Sequence, residues 1–134
     1  MGDVVQLLRA GVVGAAGMLG REVVAVLERR RVPLLELVPI GSEDGLGEGI
    51  DYLGEDLPLR PPDTELVGID RLFLCAPAEA SLEYARRALH ARVPTFDLSG
   101  ALRRSEEVPL VDAERLSEEA AASDTAPLLS LIHI

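Results

Sequence analysis

The sequence predicts an α/β domain with a doubly wound parallel sheet, and three observations favour this class. Short apolar runs alternate with segments whose apolar residues recur with the period of a helix. The elements follow the order strand, helix, strand, strand pair, strand, helix, strand, which is typical of such sheets. A turn with glycines at 14, 17 and 20 joins the first strand to the first helix. Because these sheets bind ligands at the carboxyl ends of their strands, we expect a nucleotide crevice on a Rossmann-like domain.

The first half of the chain contains the strand, turn and helix on which this prediction depends most. We predict a strand over residues 4–13 and a helix over residues 18–30, which Pro33 prevents from continuing. The apolar residues of one helix face are Leu19, Val23, Val26 and Leu27. The next predicted elements are a strand over residues 34–40, an acidic loop over residues 41–49, and a hairpin over residues 50–59 that turns near Gly54.

The second half repeats the strand and helix pattern. Residues 69–75 form a continuous apolar run, which is typical of a parallel strand buried on both faces. Pro77 then opens a helix over residues 78–91, since proline is tolerated at the first helical position. The predicted inner face of this helix consists of Leu82, Ala85 and Leu89. A strand over residues 93–98 follows.

The composition describes a globular chain and excludes several classes of function. The 134 residues suffice for one domain, with 48% hydrophobic and 27% charged residues. A net charge of −10 argues against nucleic acid as a partner, because its phosphates would be repelled. No apolar run is long enough to span a membrane, and the first residues lack the basic region of a signal peptide, so we expect a cytoplasmic protein. All thirteen cationic residues are Arg, which excludes Schiff-base chemistry and a P-loop lysine within this chain.

The turn over residues 14–20 predicts a phosphate site. Its spacing is G-x-x-G-x-x-G, whereas the familiar dinucleotide fingerprint is G-x-G-x-x-G. Glycines at such a turn let the backbone approach a pyrophosphate, and the start of the helix supplies unpaired N–H groups and the positive end of its dipole. The alternative is a tight turn in which the glycines serve only to adopt positive φ angles.

Cys75 and His90 have reactive side chains, but we expect neither to be catalytic. Cys75 is the single cysteine, so an internal disulfide and a multi-cysteine metal site are both excluded. It ends an apolar strand, where we favour a small buried thiol over a nucleophile. His90 lies on the second helix, remote from the strand ends, and we expect it at the surface. We assign no catalytic residue and no metal ligand within this chain.

The chain contains two blocks that occur together in one known family: VGAAGMLGREVVAVLERRRVPLLEL and LEYARRALHARVPTFDLSGALRRSEEVPLV. The first resembles the opening of the aspartate-semialdehyde dehydrogenase family, G-A-T-G-x-V-G, then R-E and a helix ending in E-R-x-x-P. The second resembles a later stretch of that family, with E-Y-A, an alanine-rich helix, I-D-N-S-S-A-F-R and V-P-L-V. Both blocks stand in the family's order and at about its separation, over residues 10–111. The N-acetyl-glutamyl-phosphate reductases of the same superfamily are a weaker match.

The resemblance implies an oxidoreductase of amino-acid biosynthesis that reduces an aspartyl phosphate to the semialdehyde. Family members use a nicotinamide cofactor, a cysteine thioester and a histidine base. The residues that would wrap the pyrophosphate are Gly14, Ala15, Ala16, Gly17, Met18 and Leu19. Ala76 and Pro77 would line the nicotinamide side. The implied partners are a nicotinamide dinucleotide, a small phosphorylated amino acid and, at full length, a second copy in a homodimer.

Arg103 matches the arginine with which the family grips the substrate phosphate. A planar guanidinium suits this task, because its fork forms paired charge-assisted hydrogen bonds with a phosphoryl group. The alternative is a solvated arginine on a loop.

The loop after the second strand bears on the choice of cofactor. In the family an arginine of this segment meets the 2′-phosphate of NADP, and the resemblance places Asp44 there, beside Glu43. Like charges about 4 Å apart repel by roughly 1 kcal/mol in water and by about 4 kcal/mol at an effective dielectric constant near 20. Carboxylates can instead accept hydrogen bonds from the ribose hydroxyls of NAD. We therefore expect NAD, with NADP disfavoured; the alternative is a mobile acidic loop that touches no ligand.

The chain also departs from the family's pattern where polar ligand contacts are expected. Ala16 replaces a threonine, Leu98 replaces an asparagine, and residues 76–78 read APA where the family has A-G-G. Two functions therefore stay open. The first is the cofactor domain of an aspartate-semialdehyde dehydrogenase-like enzyme, and the second is a non-catalytic paralogue that acts as a nucleotide-binding or interaction module.

The last six residues, LSLIHI, resemble the translation of a sequencing adapter. We expect a cofactor domain over residues 1–128 that is truncated before the family's catalytic N-C motif, and a non-native tail over residues 129–134. The alternative is a native β-strand with Ile132 and Ile134 on one face. On the adapter interpretation His133 is no catalytic candidate, and the chain alone lacks dehydrogenase activity.

Overall fold

The computed structural model describes residues 7–45, 47–100, 110–111 and 128–131, the last two segments by their backbone. The strands within these residues are β1 (Leu8–Val13), β2 (Leu34–Ile40), β3 (Gly49–Tyr52), β4 (Glu55–Pro58), β5 (Arg71–Leu74), β6 (Thr95–Asp97), β7 (Leu110–Val111) and β8 (Leu128–Leu131). The α-helices of the same residues are α1 (Met18–Arg29) and α2 (Ala78–Ala91). Neither helix is long and apolar enough to cross a membrane.

The described strands form one parallel sheet in the order β2-β1-β5-β6-β8-β7, with the β3–β4 hairpin as a separate antiparallel pair. This arrangement confirms the predicted doubly wound α/β fold. Val13, the last residue of β1, is in register with Ile40 of β2 and with Leu74 of β5. The loops that follow these three strands therefore start side by side at one edge of the sheet.

The two faces of the sheet are covered by different elements. Alternate residues of a strand point to opposite faces. Val12 accordingly packs with α1 and the hairpin, whereas its neighbour Val13 packs with α2. Both side chains are buried, with exposed fractions of 0% and 2%. The core is thus split into two layers, and the sheet lies between them.

The bounds of both helices were predicted closely, but the buried face of each is displaced. In α1 the buried residues are Gly20, Val24 and Leu27, whereas Val26 is 39% exposed. Gly20 has no side chain, so the helix approaches β1 on that side and the apolar face turns by about one residue.

The buried face of α2 also differs from the prediction. It consists of Ser81, Tyr84, Ala85 and Ala88. The predicted residues Leu82 and Leu89 are 38% and 49% exposed, and only Ala85 was placed correctly. Small residues allow the close approach of a helix to the sheet, and this outweighed the larger apolar area of the leucines.

The hairpin has the predicted position and turn. Leu53 and Gly54 join β3 to β4 with φ angles of 52° and 83°, the two positive values that a type I′ turn requires. The glycine supplies one of them without strain.

Near the other end of the chain, β8 pairs with β6 and β7 in parallel. This strand includes residues 129–131 of the segment that we interpreted as a non-native tail, whereas Ile132, His133 and Ile134 lie outside the described residues. The adapter origin of that segment concerns its coding sequence and stays a prediction.

Candidate functional site

A cavity of about 490 Å3 lies at the carboxyl edge of the sheet. It is lined by residues from the three loops that start side by side there. They include Gly14, Ala16 and Gly17 after β1, Glu43 and Asp44 after β2, and Ala76 and Pro77 after β5. Seven of the residues predicted to bind the cofactor are therefore brought together around one space.

Two of the three glycines in the β1–α1 turn are required by the fold. Gly14 has a φ of +77°, and an added Cβ would lie 2.7 Å from the backbone nitrogen of Ala76. An added Cβ at Gly20 would overlap the carbonyl oxygen of Gly14 and lie 2.7 Å from the Cα of Ala15. The fold itself therefore requires glycine at 14 and at 20.

Gly17 is different, because the described structure leaves room for a side chain there. Its φ of −75° suits any residue, and an added Cβ would meet one atom, the Gly14 carbonyl oxygen at 3.4 Å, which is an ordinary contact. Gly17 lines the cavity and is the N-cap of α1. The missing side chain thus keeps open the approach to the start of the helix.

The start of α1 leaves backbone amide groups without partners inside the helix, although the amide of Gly17 itself donates to the Gly14 carbonyl at 3.1 Å. The first N–H groups of an α-helix have no carbonyl partner within the helix, and no side chain of the described residues caps α1. The turn is held in place from behind. The amide of Gly14 donates to the Ile40 carbonyl at 2.9 Å, and the Nε of Arg21 donates to the Ala16 carbonyl at 2.8 Å. The arrangement has the form of an anion site at a helix N-terminus.

The other three residues predicted around the pyrophosphate do not line the cavity. Ala15 is fully buried in the core layer beneath the turn, and Met18 is 91% exposed. Leu19 is half-buried on α1, outside the cavity lining. These three side chains have no place in the cavity wall, because the turn directs only Gly14, Ala16 and Gly17 to it.

The acidic side of the cavity is formed by a short 3-10 helix, Glu43–Gly45, which was predicted as a loop. Glu43 and Asp44 are exposed, and both line the cavity. Among the described residues that line it, none is cationic. The local charge is therefore negative on the side of β2 and is offset by the amides at the start of α1.

Cys75 and the junction between β5 and α2 form the opposite side. Burial raises the pKa of the Cys75 thiol to about 12, with a further contribution from the charge of Asp97. A raised pKa favours the protonated thiol, which is a poor nucleophile. Cys75 is partly buried and lines the cavity. His90 is exposed on α2, as predicted.

A third part of the cavity wall was not predicted from the sequence. It consists of Leu59, Pro62 and Tyr84. The Tyr84 hydroxyl donates to the Pro62 carbonyl at 2.7 Å, and this bond joins the chain after the hairpin to α2. The signal available in the sequence was the tyrosine of the E-Y-A motif, which stands on the buried face of a helix. Arg103 lies outside the described residues.

Comparison with known proteins identifies the family. The model of the NAD-binding domain of semialdehyde dehydrogenase matches residues 9–123. A USG-1 protein homolog of Pseudomonas aeruginosa is 35% identical over 120 residues, which cover 87% of this chain and 36% of that protein. An aspartate-semialdehyde dehydrogenase of Synechocystis sp. is 33% identical over 115 residues, covering 85% of this chain and 34% of the relative.

A solved structure agrees with these sequence matches. The structure of a probable aspartate-semialdehyde dehydrogenase from Pseudomonas aeruginosa superimposes with a TM-score of 0.83 at 31% identity, covering 94% of this chain and 37% of that one. The chain spans about a third of the length of the curated relatives it matches. It belongs to the semialdehyde dehydrogenase family and contains that family's NAD-binding domain.

Proposed function

We propose that the cavity at the carboxyl edge binds NAD, with its pyrophosphate at the start of α1. The observation that carries this proposal is the open space at Gly17. The fold would accept a side chain there, but that side chain would block the access from the cavity to the N-terminus of α1. Gly14 and Ala16 provide the adjoining backbone. Ala76 and Pro77, across the cavity, are proposed to line the nicotinamide side.

We infer a preference for NAD over NADP from the carboxylates of Glu43 and Asp44. Both line the cavity, and no arginine or lysine of its described lining could neutralise a 2′-phosphate. Repulsion of this phosphate at about 4 Å is worth roughly 1 to 4 kcal/mol, depending on the effective dielectric constant, which corresponds to about fivefold to about a thousandfold in affinity. Carboxylates in this place can accept hydrogen bonds from ribose hydroxyls.

For the full-length protein we propose the reaction of an aspartate-semialdehyde dehydrogenase, the NAD(P)-dependent reduction of an aspartyl phosphate in amino-acid biosynthesis. Several similar proteins carry that name, and they favour the enzyme over a non-catalytic paralogue. The cofactor supplies hydride chemistry when bound. We do not propose Cys75 as the nucleophile, because its thiol is partly buried and burial raises its pKa to about 12. Arg103 is proposed to hold the substrate phosphate, in a cytoplasmic homodimer.

Calorimetric titration of the chain with NAD and NADP side by side tests the cofactor proposal. We expect NAD to bind at least about fivefold more tightly than NADP, because of the carboxylate repulsion. Asp44→Asn should narrow this difference by relieving NADP binding while leaving NAD binding within about threefold. Asp51→Asn is the matched control, since Asp51 lies on β3 beside a different cavity. Tighter binding of NADP by the unchanged chain would contradict the preference, and absence of binding by either dinucleotide would contradict the site.

A further inference from the structure

The segment over residues 60–64, which we call the strap, crosses from the outer strand of the sheet to α2. At its first end the backbone of Arg60 forms two hydrogen bonds around β2: its amide donates to the Pro39 carbonyl at 2.8 Å, and its carbonyl accepts from Gly41 at 2.9 Å. Within the strap, the Thr64 amide donates to the Pro61 carbonyl at 3.0 Å. The strap is thus anchored to the sheet by β-type pairing and then turns.

The far end of the strap is held by one arginine of α2. The guanidinium of Arg87 donates from Nη1 to the Pro62 carbonyl at 2.8 Å and from Nη2 to the Thr64 carbonyl at 2.6 Å. Its central carbon lies 4.8 Å from the ring centroid of Tyr84, whose hydroxyl donates to the same Pro62 carbonyl. A rigid planar fork that meets two carbonyls and stacks on a ring is a geometry that lysine cannot reproduce.

The strap matters because its middle forms part of the cavity wall. Pro62 and Tyr84 line the cavity together with Leu59, and these three form an apolar part of its wall. Leu59 also abuts the acidic loop, since an added Cβ at Gly41 would lie 3.1 Å from its Cδ1. The apolar wall is therefore next to Glu43 and Asp44, the proposed ribose contacts. The part of a dinucleotide that is flat, apolar-faced and attached to this ribose is the adenine.

We propose that Arg87 is a positioning residue for the adenine end of the dinucleotide. It touches no ligand itself. By fixing the carbonyls of Pro62 and Thr64, it holds the apolar wall in place before the ligand arrives, so that the strap need not be ordered at the time of binding. This inference rests on the proposed binding of NAD in the cavity.

The test compares ligands that carry adenine with one that does not. The affinities of NAD, ADP and nicotinamide mononucleotide are measured for the unchanged chain, Arg87→Met and Arg87→Lys. We expect Arg87→Met to weaken NAD and ADP by about tenfold, the loss expected when a wall must be ordered on binding, and to leave the mononucleotide unchanged. Arg87→Lys should restore little, because one ammonium cannot hold two carbonyls. Arg86→Met is the matched control: Arg86 is 68% exposed, contacts only Glu83 at 4.0 Å among the ion pairs of the described residues, and should alter no affinity.

A second variant tests the same wall if Arg87→Met is unstable. If Arg87→Met does not fold, Tyr84→Phe removes a single bond to Pro62 and should weaken ADP by about threefold. An equal loss for ADP and the mononucleotide would indicate general destabilisation and overturn the inference. So would unchanged ADP affinity in a folded Arg87→Met that still binds NAD, although the proposed function would then stand. Failure of the unchanged chain to bind NAD would overturn both.

Discussion

The two ends of the parallel sheet differ in what their polar groups contact. Near the amino ends of the strands, Arg9 donates from Nε to Glu36 at 3.0 Å and from its backbone amide to Asp70 at 2.8 Å. The side chain of Arg60 reaches back from the strap to pair with the same Glu36. At the carboxyl ends, Gly17 at the start of α1 and the carboxylate of Asp44 line a cavity. Charged groups that satisfy one another stabilise the fold, whereas groups left facing a cavity are available to a ligand.

The largest expected effect is at Gly20, which lies near the carboxyl end of β1 but is required by the fold and not by a ligand. Gly20→Val should destabilise the fold by about 3 kcal/mol, because even its Cβ overlaps the backbone of the turn. Urea unfolding followed by circular dichroism measures this loss. Gly17→Ala serves as the control and should stay within about 1 kcal/mol, since its Cβ has ordinary space. Normal stability of the Gly20 variant would mean that helix and strand do not approach as closely as described.

Substitution at the amino end should change stability without changing ligand binding. Glu36→Gln removes the charge shared by Arg9 and Arg60, and its side chain is 36% exposed, so we expect a loss of about 1 kcal/mol. NAD affinity should be unchanged. The control is Glu22→Gln, which breaks an exposed pair with Arg29 at 3.6 Å and should have a smaller effect. A clear loss of NAD affinity in the Glu36 variant would contradict the assignment of stability to the amino ends of the strands and of ligand binding to their carboxyl ends.

Glu36 should also make the free energy of unfolding depend on pH, with a smaller effect than the substitutions above. Burial raises the pKa of Glu36, but hydrogen bonds from Arg9 and Arg60 and their positive charges outweigh burial and hold the pKa below its usual value. The stabilisation is therefore present above the unfolded value of about 4.3 and is lost as pH falls through the lower folded value. Unfolding in urea at a series of pH values should show a steeper loss below about pH 4.3 for the unchanged chain than for Glu36→Gln. Parallel pH dependences of the unfolding free energy in the two proteins would show that Glu36 does not contribute to this effect.

Much of the fold could be predicted from the sequence because its signals are local. Helix α2 was predicted with the bounds that the structure has, and so was strand β2. The buried helix faces were less accessible to prediction. Gly20 and Ser81 lie on those faces because small side chains permit close packing, which depends on the partner surface and not on the hydrophobicity of the residue itself.

The candidate site was predictable only in part, for the same reason. Glycines, the acidic loop and the β5–α2 junction could be found along the sequence, and the parallel topology brings them to one edge. The wall formed by Pro62 and Tyr84 could not, because it depends on a strap whose position is fixed by Arg87 through two backbone carbonyls. A hydrogen bond to a carbonyl leaves no trace in the identity of the residue that accepts it.

The measurement that most directly tests the central claim is the affinity of Gly17→Val for NAD, taken together with its unfolding free energy. The variant should lose at least about tenfold in affinity, because a side chain there holds the pyrophosphate away from the start of α1. Its unfolding free energy should change by about 1 kcal/mol or less, as expected for an N-cap with an unstrained φ. Unchanged NAD affinity in a variant with a normal circular dichroism spectrum would contradict the account and reduce Gly17 to a residue of the turn.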